Sequence, residues 1–288
     1  MNRIFPTSIV LATLLFSTAC SVFDNQRSVR ASAPIATTNS NAAAIHAAQQ
    51  CMEALAQTAA VNISELDSTE IDILIWNIRK GEMRNWREDL DALAADKDLL
   101  LIQEASLSMQ SENIFGQNGF WSFAPGYSSG DTVTGVATLS LAEPLGHCHL
   151  TAYEPWIGTP KATNITQYAL SDSNRTLLVV NTHMINFTMG LKEFRAQLAP
   201  VIEVLAAHNG PVIFSGDFNT WRPARYRALK DLMSDLSLVA IEFEEDHRVR
   251  IFGSVVDHVF VGGLHVRAAN THRLESSDHN PMSIRLSL

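Results

Sequence analysis

The stretch Gly210–Trp221, with the sequence GPVIFSGDFNTW, changes within a few residues from apolar to polar. Val212 to Phe214 is a run typical of strands that are covered on both faces. Asp217 and Asn219 then stand two positions apart, and an extended chain points both side chains to one side. A carboxylate that accepts a proton would lie there beside an amide that holds a water or an oxyanion. The alternative is a strand followed by a simple Asx turn.

The rest of the chain alternates apolar runs with segments of helical periodicity. Further strands are predicted at Ile71–Trp76, Leu99–Ile102, Val133–Ser140, Thr176–Val180, Val255–Val261 and Met282–Leu286. Helices are predicted at 86–95, over Phe194–Leu205, and at Tyr226–Leu236. This alternation indicates an α/β fold.

The composition is that of one large globular body. Of the 288 residues 46% are hydrophobic, which is enough to bury a sizeable core. The formal net charge of −9 gives no general basic surface for nucleic acid. Binding of a polyanion would therefore need a local basic patch or a bridging cation.

The N-terminus has the pattern of an export signal. Arg3 precedes the apolar run Ile9–Phe16, which is too short to span a bilayer, and the small residues Ser17–Cys20 follow. The segment 1–20 resembles a bacterial lipoprotein signal with lipid attachment at Cys20. Ser21 then resembles the outer-membrane sorting pattern, which predicts a lipoprotein of the cell envelope. Ser17 stands where such signals usually have Leu, so simple secretion is the alternative.

Residues 21–66 are predicted to be a tether and an Ala-rich helix, and residues 67–288 the globular domain. The tether is rich in Ser, Ala, Thr and Asn, and the helix is predicted at Asn41–Ala60. With Cys20 assigned to lipid, Cys51 and Cys148 remain. They either form a disulfide in an oxidising compartment or stay as buried free thiols.

Polar residues gather where the predicted strands end. Asn77 follows the first strand and Glu104 the second, and His183 and Asn186 come after the Thr176–Val180 strand. Each has an ordinary alternative as a helix cap or a turn former. Asp257 is different because it lies inside an apolar strand, where an unpaired carboxylate costs free energy. We expect His279, in the segment just before the last strand, to be its partner.

Taken together, these motifs resemble those of the endonuclease/exonuclease/phosphatase superfamily, which includes DNase I-like nucleases, sphingomyelinases and inositol-phosphate phosphatases. The matching motifs, in order, are Trp76-Asn77, Gln103-Glu104, His183, Gly216–Asn219, Asp257 and Ser277–Pro281. The stretches Asn181–Gly190 and Gly210–Trp221 are similar to the bacterial YafD-like subgroup. The resemblance covers Ile71–Leu288. It implies a four-layer α/β/β/α sandwich of two mixed sheets with an active site at one rim.

The resemblance also implies a metal-dependent phosphodiesterase. Glu104 and Asn77 would hold Mg²⁺, or Mn²⁺ in its place, because these hard cations take oxygen ligands and keep several waters. Asp278 would complete that site or a second one.

The remaining motif residues are predicted to act on water and phosphate. Asp217 would take a proton from water that Asn219 orients, and His279, held by Asp257, would place a positive donor against the phosphate. Either Asp217 or the His279–Asp257 pair is the base in members of the superfamily, and both assignments stay open.

His183 and Asn186 match positions that face the scissile phosphate. Arg79 occupies a position where abasic-site nucleases carry Asp, and an Arg there is suited to gripping phosphate. We therefore expect a substrate other than abasic DNA.

Three functions follow from these features. The first is an extracytoplasmic nuclease or general phosphodiesterase, periplasmic or in the cell envelope. The second is a membrane-facing phospholipid or sphingomyelin-type phosphodiesterase, for which the aromatic stretch Phe115–Tyr127 would be an apolar loop, unless it is core or stacks on bases. The third is a catalytically inactive binding protein. A phosphodiester substrate, with nucleic acid as the first choice, and a membrane reached through Cys20 are the predicted partners, and no protein partner is predicted.

Overall fold

The computed structural model describes residues 35–36, 41–57, 64–112, 119–130 and 132–288. The predicted signal peptide and most of the predicted tether lie outside these residues. Within them, no helix is long and apolar enough to cross a membrane. The described residues form four α-helices, α1 Asn41–Ala56, α2 Trp86–Ala94, α3 Lys192–Ala207 and α4 Pro223–Asp235.

The strands are numbered in chain order. They are β1 Ile35–Ala36, β2 Glu65–Leu66, β3 Ile71–Asn77, β4 Leu99–Ser106, β5 Phe120–Ser129, β6 Thr132–Ser140, β7 Gly146–Tyr153, β8 Pro160–Leu170, β9 Thr176–His183, β10 Val212–Asp217, β11 Val239–Ala240, β12 Arg250–Ile251, β13 Ser254–Val255, β14 Asp257–Gly262, β15 His265–Thr271 and β16 Met282–Ser287.

Two large mixed sheets contain nearly all of these strands. One has the order β15-β16-β3-β4-β6-β5, and the other has the order β1-β7-β8-β9-β10-β14-β11, with β2 paired to β8. In the first sheet β3 and β4 are parallel, and in the second β9 and β10 are parallel. The short strands β12 and β13 form a separate hairpin.

The sheets pack face to face because their strands are apolar on both sides. Ile71, Ile73 and Ile75 of β3 share one buried cluster with Val179 and Ile213 of the other sheet. The alternate β3 residues Leu74 and Trp76 pack with Leu90 of α2 on the outer face. Helices α1, α3 and α4 cover the outer face of the second sheet. The predicted α/β/β/α sandwich with two mixed sheets is confirmed.

Helix α1 is tied to this body. Cys51 and Cys148 form a disulfide that joins α1 to β7, which decides between the two predicted states of these cysteines. Ala47, Ala48 and Leu55 of the helix are buried in the cluster that contains Phe194 of α3.

Inside the predicted tether, Ile35–Ala36 pairs in parallel with β7. The Ala-rich helix is shorter than predicted and ends at Ala56. Helix α4 begins at Pro223, earlier than the predicted Tyr226, because proline is tolerated in the first turn of a helix, where its missing N–H is not needed.

Candidate active site

Strand register brings the polar strand ends of the second sheet into one row. Asp217, the last residue of β10, pairs with His183 at the end of β9 and with Asp257 at the start of β14. Residues far apart in sequence thus become neighbours through ordinary ladder geometry. The parallel pair β3–β4 delivers Asn77 and Gln103 to the same region, since Asn77 Nδ2 donates to Asp217 Oδ2 at 3.2 Å.

Asp217 and Asp257 are the buried carboxylates of this row, each with 3% of its surface exposed. Asp217 Oδ1 accepts the backbone N–H of Asn219 at 2.9 Å, and Asp217 Oδ2 lies 3.5 Å from His183 Nε2 and 3.9 Å from His279 Nε2. Burial, with a smaller contribution from the charge of Asp257, raises the pKa of Asp217 to about 6, against the opposing charges of His279 and Lys161. A carboxyl that titrates near neutral pH is suited to exchange protons with a substrate.

Asp257 and His279 form the predicted pair. His279 Nδ1 lies 2.8 Å from Asp257 Oδ2 and 3.0 Å from Oδ1. Burial opposes a charge on the imidazole, but the charge and hydrogen bond of Asp257 and the charges of Asp217 and Asp278 outweigh it and raise the pKa of His279 to about 10. His279 therefore carries protons on both nitrogens at neutral pH and presents Nε2–H as a donor.

The segment that carries His279 is fastened to β3. Trp76 Nε1 donates to the carbonyl oxygen of His279 at 2.9 Å, and Ser277 Oγ donates to the carbonyl oxygen of Asn77 at 2.7 Å. The Trp-Asn and Ser-Asp-His motifs thus contact each other directly across the fold.

Glu104 lies at a break in β4. The register with β6 shifts between Gln103 and Ala105, and Glu104 has a φ of 51°, a left-handed conformation that is uncommon for residues other than glycine. Its side chain is partly exposed, with Oε1 3.9 Å from His183 Nε2. Glu104 lines a cavity of about 150 Å³ together with Lys80, Lys161 and His183. The break therefore turns a strand carboxylate toward the cleft.

The oxygen ligands present fit a hard divalent cation. Ligand atoms of Asp217, Asp257 and His279 all lie within 4.8 Å of one another. Asp257 is hydrogen-bonded to His279 Nδ1, and Asp217 accepts from Asn77 and from the Asn219 backbone, so these three side chains form a hydrogen-bonded charge cluster. Glu104 offers a carboxylate beside a cavity with room for water, and one or two carboxylates plus waters are what Mg²⁺ requires.

The other two predicted metal ligands, Asn77 and Asp278, are not among the residues that line this cavity. Asn77 Oδ1 accepts the backbone N–H of Arg79 at 3.1 Å, while its amide nitrogen faces Asp217. Asp278 is exposed at the rim, where its carboxylate lies 3.9 Å from Arg79 Nε. Arg79, predicted to grip phosphate, is also exposed and contacts Glu82 at 4.0 Å.

Asn219 and Asn186 belong to loops that are tied together. Asn219 Nδ2 donates to the carbonyl oxygen of Met184, which holds the end of β10 against the end of β9. The backbone N–H groups of Asn186 and Phe187 donate to the buried carboxylate of Glu154, the latter at 2.9 Å.

Arg225 of α4 is a site-supporting residue that the sequence analysis missed. Its buried guanidinium donates to carbonyl oxygens of Ile185, Asn186, Thr188 and Asn219. It thereby joins the loop after β9 to the loop after β10. Its position in an amphipathic helix gave no signal, since charged helix residues usually face solvent.

Lys161, the second residue of β8, is also a functional candidate that was missed. Its Nζ lies 2.7 Å from His183 Nε2. A lysine next to a proline at the start of a strand is ordinarily a solvated residue, and no sequence signal distinguishes this one.

The aromatic stretch considered for lipid or base contact is mostly core. Phe120, Trp121 and Phe123 are buried in β5, and only Tyr127 among the described members is exposed. Phe115 lies outside the described residues. The interpretation of this stretch as an apolar loop is therefore wrong for β5.

Comparisons with known proteins identify the family of the chain. Residues 74–279 match the family model described as "Endonuclease/Exonuclease/phosphatase family". The chain is 38% identical over 222 residues to a UPF0294 protein of Vibrio campbellii, a bacterial YafD-like protein, covering 76% of this chain and 78% of the relative.

Two solved structures illustrate the similarity in fold. The human Nocturnin catalytic domain with bound sulfate is 19% identical with a TM-score of 0.61, over 78% of this chain and 96% of that chain. D. rerio TDP2 in complex with single strand DNA product is 15% identical with a TM-score of 0.58, over 76% and 99%. The chain belongs to the endonuclease/exonuclease/phosphatase family.

Proposed function

We propose that the protein is an extracytoplasmic, Mg²⁺-dependent phosphodiesterase in which Asp217 activates the attacking water. The observation that carries the proposal is the placement of Asp217 between Asn77, His183 and His279, with Asp257 holding His279. The proposed base Asp217, the proposed donor His279 and the proposed cation ligand Glu104 thus lie at one rim of the sandwich.

Asp217 is assigned as the base because its raised pKa of about 6 leaves it unprotonated at neutral pH but able to accept a proton. The hydrogen bonds from Asn77 and the Asn219 backbone fix the carboxylate. The water that attacks phosphorus would lose its proton to this carboxylate as the bond between phosphorus and the leaving oxygen breaks, and the leaving oxygen would take up a proton from solvent.

His279 is assigned as the donor to phosphate. An imidazolium cannot act as a base, so the raised pKa of His279 separates its role from that of Asp217. His279 Nε2 lies 3.9 Å from Asp217 Oδ2, so its N–H and the carboxylate face the same space. There it would donate to a phosphate oxygen on which negative charge develops.

Glu104 would hold Mg²⁺, or Mn²⁺ in its place, with Asn77 and Asp278 as the further predicted ligands. When bound, such a cation neutralises the phosphate charge and polarises the bond that breaks. The protein's contribution is the turn of Glu104 into the cleft at the break in β4.

Nucleic acid is the first candidate substrate. D. rerio TDP2 is described with a single strand DNA product, and the fold is shared. Because the net charge is −9, binding of nucleic acid would depend on local positive groups such as Lys80 and Lys161 and on the bound cation.

A phospholipid or sphingomyelin-type substrate is the second candidate, favoured by an exposed apolar rim. The rim is formed by Trp156 with 70% of its surface exposed, Met189 with 64% and Phe252 with 88%, together with Phe187. Exposed apolar groups of this size are suited to a lipid surface.

The rim residues lie on loops that touch one another and the site. The loop of Phe187 is bonded to Glu154, two residues before Trp156. Trp221 stacks edge-on against Phe252 at 6.0 Å and donates to the carbonyl oxygen of Asn186 at 3.3 Å. The rim therefore adjoins the loops that follow β9 and β10.

A single panel separates these candidates. The purified protein without residues 1–20 is assayed with Mg²⁺ on plasmid DNA, single-stranded DNA, RNA, sphingomyelin vesicles and bis(p-nitrophenyl) phosphate, each with an EDTA control. EDTA-sensitive hydrolysis of at least one phosphodiester is expected. A complete lack of metal-dependent turnover would leave the inactive binding protein as the remaining candidate.

Location in the cell envelope rests on the N-terminal signal. Lipid attachment at Cys20 would place the catalytic body on a membrane, and simple secretion is the alternative. Mass spectrometry of the mature N-terminus is expected to find a lipid-modified Cys20. An unmodified start at another residue would reject the anchor.

A further inference from the structure

Lys161 combines features that a structural lysine seldom has. Its ammonium lies 2.7 Å from the buried imidazole of His183 and lines the same cavity as Glu104. Lys161 is half-buried, and lysines are rarely desolvated even in part without a partner charge, because desolvating an ammonium costs free energy. Burial accordingly lowers the pKa of Lys161, while the charges of Asp217, Glu104 and Glu154 raise it.

The direction of the Lys161–His183 hydrogen bond follows from chemistry. An ammonium only donates, so His183 Nε2 must accept and His183 must be neutral. Burial, followed by the charges of Lys161, His279 and Lys80, lowers the pKa of His183 well below its usual value, in agreement. The lone pair of His183 Nε2 thus accepts one proton of the Lys161 ammonium. The other ammonium protons of Lys161 stay available at the cavity wall.

Among the described residues, no carboxylate oxygen lies within ion-pair distance of Lys161 Nζ. The carboxylates of Asp217, Glu104 and Glu154 affect it through longer-range charge. An ammonium group at the wall of a cavity, without an ion-pair partner of its own, is suited to bind an anion. In a phosphodiesterase that anion is the phosphate of the substrate.

We infer that Lys161 is a further catalytic residue that donates to a non-bridging oxygen of the scissile phosphate, and that His183 is the residue that positions it. The inference rests on the proposed function and modifies one earlier expectation. His183, predicted to face the phosphate itself, acts on the substrate through Lys161.

Lys161→Met and Lys161→Gln test this inference, with Lys230→Met as the matched control because Lys230 is exposed on α4. Met keeps the length of the side chain without a donor, and Gln keeps an N–H donor without the charge, so a loss shared by both variants is due to the charge. For bis(p-nitrophenyl) phosphate with Mg²⁺, kcat/KM is expected to fall at least about 30-fold in both Lys161 variants, because a charge-assisted hydrogen bond is lost. Lys230→Met should match wild type.

A second readout does not need catalysis. Binding of inorganic phosphate to the metal-free protein, measured by calorimetry in EDTA, should weaken at least about tenfold in both Lys161 variants and not in Lys230→Met. The pKa of His183, followed by NMR, should rise in Lys161→Met because a neighbouring positive charge is gone.

The positioning role of His183 is tested by a double-mutant cycle. His183→Ala should weaken phosphate binding in the wild-type background and have little further effect in Lys161→Met, because both changes remove the same contact. Additive losses would overturn the positioning role.

The outcomes separate the two proposals. Wild-type hydrolysis with unchanged kcat/KM and phosphate affinity in both Lys161 variants would overturn the role of Lys161 and leave the proposed function standing. Absence of wild-type hydrolysis would overturn the proposed function, while phosphate binding would still report on Lys161.

Discussion

His279 Nδ1 lies 2.8 Å from Asp257 Oδ2, and this contact sets the charge of the imidazole that faces Asp217. Asp257 is the first residue of β14 and is buried, so its carboxylate is compensated by the imidazolium. The pair gives the site a positive donor that persists across the neutral pH range.

Asp257→Asn should remove this charge partner. The pKa of His279 is then expected to fall from about 10 toward its ordinary value, and kcat should fall at least about 100-fold. NMR titration of the His279 ring and steady-state kinetics measure both effects. Asp235→Asn, an exposed change at the end of α4, is the control, and an unchanged His279 pKa in Asp257→Asn would refute the assignment.

The pH dependence of kcat/KM should have two limbs. Asp217 must lose its proton to act as a base, so the rate falls as pH drops below about 6. His279 must keep its proton, so the rate falls again as pH rises through about 10. His279→Gln should retain the acid limb at a lower rate, and an alkaline limb that remains in this variant reports the proton of Lys161, whose pKa burial lowers. A profile without an acid limb near 6 is incompatible with Asp217 as the base.

Asp217→Asn should inactivate the protein and stabilise its fold. The folded protein binds the Asp217 proton more tightly than the unfolded chain, because burial raises the pKa from 3.8 to about 6. The resulting stabilisation is complete below pH 3.8 and is lost as pH rises through about 6.

Above that pH the ionised carboxylate costs up to about 3 kcal/mol, a cost that an amide does not have. Urea unfolding at pH 8 should therefore show a higher midpoint for Asp217→Asn than for wild type. At pH 4 the two midpoints should approach each other. A lower midpoint than wild type at pH 8 would contradict the unfavourable burial of this charge.

Arg225→Met should loosen the site without touching its reactive groups. The change leaves the carbonyl oxygens of Ile185, Asn186, Thr188 and Asn219 without their donor, and we expect a loss of at least about 3 kcal/mol in the free energy of unfolding. Arg227→Met, on the exposed face of the same helix, is the matched control. Equal stabilities of the two variants, measured by urea unfolding, would remove this role from Arg225.

Loss of the disulfide should destabilise the whole body. Cys51 and Cys148 are 97 residues apart, and closing a loop of this length stabilises a fold by about 4 to 5 kcal/mol in the chain-entropy model. Cys51→Ala with Cys148→Ala should lower the unfolding free energy by an amount of that order. Dithiothreitol should lower the Tm of wild type but not that of the double variant. A wild-type Tm that does not respond to the reductant would argue against the bond.

The α/β fold was predictable because its strands are marked by apolar runs on both faces, and the four-layer arrangement followed from the resemblance to the superfamily. Ile71–Trp76 and Val212–Phe214 show this pattern, and their polar ends carry Asn77 and Asp217. The pairing of Asp257 with His279 also followed from the sequence, since a carboxylate inside an apolar strand needs a partner.

Lys161 and Arg225 were not predictable for a physical reason. Charged residues at strand starts and on amphipathic helices are normally solvated, so the burial of Arg225 and the half-buried position of Lys161 arise only from tertiary packing. The conformation of Glu104 likewise depends on a register shift against β6, which no local pattern encodes. Asp278 was grouped with the metal ligands from its motif, and its exposure at the rim depends on how the segment before β16 folds.

The most direct measurement is the rate of bis(p-nitrophenyl) phosphate hydrolysis at pH 8 for wild type, Asp217→Asn and Lys230→Met, each with Mg²⁺ and with EDTA. We predict turnover for wild type and Lys230→Met that EDTA abolishes, and a rate for Asp217→Asn at least about 100-fold lower. Equal rates for wild type and Asp217→Asn, or turnover unaffected by EDTA, would contradict a metal-dependent active site built around Asp217.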